Sequence, residues 1–232
     1  MEKFLEKFNI FDIFTMLVPG IIISCLLGVS LSFEYYNSWE KWGNEKYFIF
    51  FVFSYICGIL FQEIGTMLDK VFLDFILYGG NPREIYLENN IKNRFHKVFD
   101  NEIVYNDAVK IIEQLKAHIG IIVEECGDRK KLHALLFSYC LNVCEARGWS
   151  FKADKMLVVS EMSRSLFLGC AVVFFFNAFL GYYFSYTKER IIFMGFLVIS
   201  ALIFFVRKKR YEKYRISIIL RAYKIGMEDD KH

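Results

Sequence analysis

Proline and histidine are scarce in this 232-residue chain, with two and four copies. Formal net charge is only +3. So few prolines, and no low-complexity tract, exclude a disordered or collagen-like chain. The small net charge removes any electrostatic demand for a nucleic-acid partner, and none is expected. The Walker-type phosphate loop, the G-x-S-x-G elbow, the H-E-x-x-H helix and the dinucleotide glycine fingerprint are all missing. Their absence removes the commonest routes to hydrolysis and nucleotide chemistry. We expect a protein that is not an enzyme and carries no cofactor.

The six cysteines are Cys25, Cys57, Cys126, Cys140, Cys144 and Cys170. None falls in the short segments assigned below to the outside, so reduced thiols are expected rather than a disulfide frame. His133, Cys140 and Cys144 share one helical face, because offsets of 7 and 11 are nearly whole turns. Cys126 and His118 would have to join them to hold a metal. Structural zinc sites use close pairs on loops, and a buried face with Leu136 and Phe137 explains the same residues. No metal is expected. Arg129 and His133 resemble the Arg/His pairs of higher-eukaryote-and-prokaryote nucleotide-binding ribonucleases. Only three residues intervene, fewer than that motif has, so no nuclease role is carried over.

What the chain does have is apolar material: 55% hydrophobic residues and 26 phenylalanines. It is gathered in blocks, at 13–32, 47–62, 166–186 and 191–206, with no charged residue inside any of them. Uncharged runs approaching 20 residues match a hydrocarbon core of about 30 Å. The two 16-residue blocks reach across with the help of snorkelling ends or local thinning. The first block is too long for a signal-peptide core, and the acids before it are out of place in one. We therefore expect an all-α polytopic membrane protein: four transmembrane helices in two hairpins, and a helical cytoplasmic domain.

Pro19-Gly20 falls inside the first block, so a kink is expected there. Gly20, Ser24 and Gly28 recur every four residues and form a small-residue stripe for helix packing. The loop at 33–47 carries Tyr35, Tyr36, Trp39, Trp42 and Tyr47, residues that favour the headgroup layer. The second block continues past Gln62, with an apolar stripe from Ile64 to Ile76, and Gly79-Gly80-Asn81-Pro82 stops it. The polar middle shows no strand alternation. It reads as a weakly amphipathic segment over 83–99 and as helices over 107–125, from an Asp128 cap to Ala146, and over 150–165, the last feeding into the third block. Thr187 to Arg190 reads as a tight turn. The domains are then 1–62, 63–165, 166–206 and 207–232.

Orientation follows from charge. There are 14 Lys/Arg from Lys70 to Arg164 and nine from Arg207 onward, against four in the two opposite loops. The positive-inside rule puts the polar middle and both termini in the cytoplasm. Arg207, Lys208, Lys209 and Arg210 should sit at that face, where they anchor the helix or bind anionic lipid headgroups. Ile216, Ile219, Leu220 and Tyr223 form a packing stripe in the helix that follows. Glu63, Asn177, Glu161 and Arg164 are the pore or gating candidates, being polar groups within or beside membrane blocks. An interhelical hydrogen bond is the simpler role for Asn177.

The opening "FDIFTMLVPG", the helical insert and the closing "RKKRYEKYRISIILRAYK" together resemble small four-helix membrane proteins of bacterial anti-phage systems. These include Kiwa-type membrane subunits and CRISPR-accessory membrane proteins. The resemblance is one of layout over the whole chain. It implies an oligomeric inner-membrane sensor or membrane-disrupting effector. The competing expectation is a non-enzymatic scaffold that recruits a cytoplasmic partner protein.

Overall fold

The computed structural model describes residues 13–32, 45–69 and 129–229, with Lys110 and Glu113 as single helical positions. The aromatic loop as far as residue 44, the glycine stop at 79–82, the amphipathic segment at 83–99 and the helix expected over 107–125 lie outside the described residues. So do His118 and Cys126. Among the described residues every regular element is helical. Four helices are long and apolar enough to cross a membrane: Ile13–Ser32, Tyr47–Leu68, Phe151–Tyr183 and Lys188–Met227.

Pro19 shapes the first of them. It has no N–H to offer the carbonyl four residues back, and its ring crowds that turn. The chain responds with a π-helical turn at Ile13–Leu17, after which helix α1 runs regularly over Val18–Ser32. The irregularity expected at Pro19-Gly20 is thus taken up one turn earlier. Helix α2 spans Glu45–Leu68 without a break at Gln62. The two helices meet backbone to backbone. A methyl on Gly20 would collide with the Ser54 carbonyl oxygen, and one on Gly58 with the Met16 carbonyl oxygen. Gly20 and Ser24 are buried, whereas among the described residues no neighbouring atom lies within 4 Å of a methyl built on Gly28. The small-residue stripe packs through its first members only.

Helix α3 (Arg129–Ala146) ends at Gly148, whose φ of 72° is the left-handed conformation that glycine adopts freely. Gly148 N–H donates to the Glu145 carbonyl (3.1 Å) and Trp149 N–H to the Cys144 carbonyl (2.8 Å), the Schellman pattern. Ser150 then caps α4 (Phe151–Tyr183). Its carbonyl accepts from Asp154 N–H at 2.9 Å, and its hydroxyl donates to Asp154 Oδ2 at 2.8 Å. As expected, this helix enters the third apolar block without interruption.

The turn after α4 falls at 184–187 rather than 187–190. Thr187 is the reason: its Oγ1 accepts from Arg190 N–H at 3.3 Å, capping α5 (Lys188–Asp229) and drawing Lys188 to Arg190 into the helix. The Tyr186 ring lies over Gly181, and its hydroxyl donates to the Ala178 carbonyl at 3.1 Å.

The chain divides into two units: Met1–Met67 with Val158–Lys208, and Leu68–Leu157 with Lys209–His232. The basic tail is therefore grouped with the polar middle. The first unit has a core of Ile23, Cys170, Val173 and Leu197, flanked by Leu26, Phe61, Phe174 and Phe204. Its exterior is apolar and its interior partly polar. Phe48, Phe175, Tyr182 and Ile192 are each 70% exposed or more, while Ser30, Ser54, Asn177 and Arg190 are 0% exposed. That distribution is the reverse of the usual one for a surface in water and is compatible with a hydrocarbon surrounding. The second unit is ordinary in this respect. Ile216, Ile219, Leu220 and Tyr223, the expected stripe, are buried against Leu132, Leu136, Phe137, Cys140, Cys144 and Ala153.

Gly20→Ala and Gly58→Ala should each lower stability by about 1–3 kcal/mol, because the added methyl meets unyielding backbone. Gly28→Ala should leave it unchanged or slightly raised. Reversible unfolding of the purified protein in mixed micelles measures the difference.

Candidate functional site in the polar interior

Hydrocarbon cannot satisfy a polar side chain, so a bond from a neighbouring helix is one way to accommodate a polar group buried among helices of this apolarity. Asn177, in the last third of α4 and in the middle of the apolar block 166–186, is such a case. Its Nδ2 donates to Ser30 Oγ on α1 at 2.7 Å and to its own helix at the Val173 carbonyl, 2.9 Å. A carbonyl only accepts, so this second bond fixes which way the amide faces. Asn177 Oδ1 is buried and accepts no hydrogen bond among the described residues. The interhelical bond expected for Asn177 is present.

Arg164 joins the other pair of helices. Its Nη2 donates to Thr66 Oγ1 at 3.1 Å and to the Gln62 carbonyl at 3.4 Å, both on α2. Gly65 makes the space: a methyl there would sit 2.7 Å from Arg164 Nε. The guanidinium is therefore built into the α2–α4 contact. Glu161, one turn earlier, is half-buried, and Glu63 is exposed on α2. Of the four pore or gating candidates, the structure brings Arg164 and Asn177 into one interior and leaves Glu63 outside it.

The basic cluster lies within the unbroken α5. Lys208 is buried, Arg207 and Lys209 are half-buried, and only Arg210 of the four is exposed. The Phe167 and Phe205 rings pack 5.4 Å apart across α4 and α5. Arg164 stands three residues before Phe167 and Lys208 three after Phe205, so on antiparallel helices both lie about one turn beyond that aromatic layer.

Sequence reasoning missed three positions. Arg190 is wholly buried, its Nη1 donating to the Ser185 carbonyl at 3.1 Å. It sits in a hydrophilic Thr-Lys-Glu-Arg string that reads as surface. Ser30 and Ser54 carry little signal alone, since serine is tolerated throughout membrane helices. An asparagine in mid-block was the available pointer, because it requires a partner such as Ser30.

In the second unit, Cys140 and Cys144 face an apolar core. Burial pushes the Cys140 thiol up to about 12, helped by its neighbour Cys144, and the Cys144 thiol up to about 11, helped by Glu145. Neither is a ready nucleophile or metal ligand. Among the described residues no group of three or more His, Cys, Asp or Glu is placed to hold a metal ion. The His133 side chain lies outside the described residues. Trp149 stacks under the Arg147 guanidinium at 5.0 Å and rests on Gly226, where a methyl would collide with its ring.

No protein-family model, no curated protein and no solved structure matches this chain.

Two outcomes follow from this geometry. In a double-mutant cycle, Asn177→Ala and Ser30→Ala should show a coupling of about 0.6 kcal/mol, the usual strength of a hydrogen bond between membrane helices. The second concerns pH. The native thiols stay protonated, while the unfolded chain ionises near the ordinary value of 9.0. Their stabilising contribution is therefore complete below about pH 9 and falls as pH climbs toward 11. Unfolding of wild type and of Cys140→Ala/Cys144→Ala, followed between pH 8 and 11, should show the steeper alkaline loss in wild type.

Proposed function

We propose that the chain is a membrane-embedded sensor or effector, in which a helical domain outside the bilayer controls membrane permeability. In this reading the protein lies in a bacterial inner membrane with both termini in the cytoplasm. It works as a homo-oligomer, contacts anionic lipid headgroups through the Arg207–Arg210 cluster, and serves in anti-phage defence. It performs no enzymatic step.

One observation carries the reading. Helices α4 and α5 each supply residues to both cores without a break. From α4, Ala153 belongs to the second core, and Cys170 and Val173 to the first. From α5, Leu197 belongs to the first core and Ile216 and Ile219 to the second. A ligand or partner that shifts the second core must therefore act on helices whose other ends form the membrane unit, a helix-shift transition. Charge placement supports the orientation, and the layout resemblance supports the defence setting.

A second reading has its own support. Leu135 and Phe151 are exposed although they lie outside the apolar blocks, at 55% and 69%. A scaffold that recruits a cytoplasmic partner protein would use such positions.

Overproduction in cells carrying a potential-sensitive dye separates the two. The sensor–effector reading expects depolarisation when the natural trigger is present. Unchanged potential with and without the trigger, together with a stable partner in a gentle-detergent pull-down, would establish the scaffold instead.

A further inference from the structure

Helices α4 and α5 do not close on each other along their whole length. Between 167–175 of α4 and 197–202 of α5 lies a groove of about 180 Å³ that presents only apolar surface. Cys170 and Leu197, both buried, form its floor, and the short side chains of Ala171 and Ala201 leave it open. Phe175, Val198 and Leu202 line it and are exposed, so the groove faces outward from the first unit. A space of about 150 Å³ with an apolar lining stays dry and takes up an apolar molecule. Left empty, the groove would forfeit the dispersion contacts of its floor.

Its place along the helices narrows the occupant. From Phe167 to Phe175 the rise along α4 is about 12 Å, close to the ~15 Å half-thickness of a hydrocarbon layer. The groove lies in the first half of the apolar block 166–186 and mostly in the second half of 191–206. On antiparallel helices these halves share one end, where Phe167 packs on Phe205 at 5.4 Å and Arg207 follows a few residues after Leu202. In the membrane placement proposed above, the groove therefore runs through one leaflet only, the one bordered by the basic cluster. A helix from a second copy is about 10–12 Å across and too wide for this volume. Close approach of helices also calls for small residues at the contact, as at Gly20 and Gly58, whereas the exposed rim here is Phe175, Val198 and Leu202.

We infer that this groove is a binding site for one acyl chain of a phospholipid from the leaflet beside Arg207–Arg210, with the carbonyl end of the chain at Phe167 and its methyl end toward Phe175. The inference deepens the lipid contact of the proposed function and rests on it for the bilayer placement and the headgroup. Anionic headgroups gather at basic residues, and the groove gives the tail of the same lipid a fixed seat. A bound chain fills space between two helices that each contribute to both cores, so lipid composition becomes an input to the α4–α5 contact.

The test uses the full-length protein in phosphatidylcholine vesicles doped with phosphatidylglycerol whose chain carries a photoactivatable diazirine, with adducts located by peptide mass spectrometry. Cross-linking to 167–175 and 197–202 should saturate as the probe fraction rises. Adducts on the exposed side chains of α2 from Phe48 to Phe53 should instead rise in proportion to it. A diazirine near the carbonyl should mark Phe167 and Leu202, and one near the methyl end Phe175 and Val198. Ala201→Leu fills the groove and should lower the saturable adducts roughly tenfold, equivalent to about 1.4 kcal/mol in affinity, with the α2 adducts unchanged. Ala171→Leu, which fills it from the other helix, should do the same. Adducts on α4 and α5 that rise linearly in wild type, as on α2, overturn the site without recourse to any variant. Saturation that survives both filled variants, each folded by circular dichroism and gel filtration, overturns it as well. The reverse order of marks overturns the direction of the chain and its leaflet. Equal saturation by a phosphatidylcholine probe of the same chain leaves the groove standing and removes the headgroup contact. A preference for phosphatidylglycerol without saturation does the opposite.

Discussion

Hydrocarbon offers no hydrogen bonds and drives no apolar surfaces together, and the arrangement of the first unit, whose helices are long and apolar enough to cross a membrane, is compatible with those two facts. Helices that cannot be pressed together by water must fit closely. Gly20 and Gly58 bring α1 and α2 to backbone contact, which maximises dispersion and leaves no side chain between them. Polar groups that cannot face lipid must turn inward. Asn177 finds Ser30, and Arg164 finds Thr66 and the Gln62 carbonyl, each across a helix boundary. The same bonds that satisfy these groups also fix which helices are neighbours. Specificity here comes from a few polar atoms, while the large aromatic surface is left facing outward.

The second unit obeys the opposite rule with the same helices. Helix α5 exposes Ile199, Leu202 and Ile203, then a few turns later buries Ile216, Ile219 and Leu220. No change of secondary structure marks the switch; only the sequence does, at Arg207 to Arg210. That cluster is where the apolar side chains stop pointing outward and start pointing in. Lys208 is buried even there, its aliphatic stem suited to covering neighbouring side chains.

The four apolar blocks and the packing stripe at Ile216 to Tyr223 were legible because each is a local property: uninterrupted length in one case, period in the other. The unbroken entry of residues 150–165 into the third block was legible for the same reason. The turn before α5 was misplaced by three residues. Hydrophilic composition marked 187–190, but a threonine that caps a helix is as hydrophilic as one that sits in a loop. The burial of Arg190 and the pairing of Arg164 with α2 were not legible at all. Both depend on which helix lies opposite, and a single sequence carries no register between helices. Gly28 shows the converse: it continues the four-residue stripe, yet a methyl on it would meet no neighbour among the described residues. A repeat of small residues allows close approach but does not by itself determine where a partner crosses.

Length explains why the two rules share one pair of helices. At 33 and 42 residues, α4 and α5 measure about 50 and 63 Å, well beyond a hydrocarbon layer of about 30 Å. A helix of either length that crossed such a layer would extend beyond it by a third of its length or more, and the second core draws on Ala153 of one and Ile216 to Tyr223 of the other. Between Ala153 and Val173 the only helix-weakening residue in α4 is Gly169, and it is filled by Ile23. With no proline to absorb bending, a displacement at one end of such a helix is passed to the other as translation or rotation.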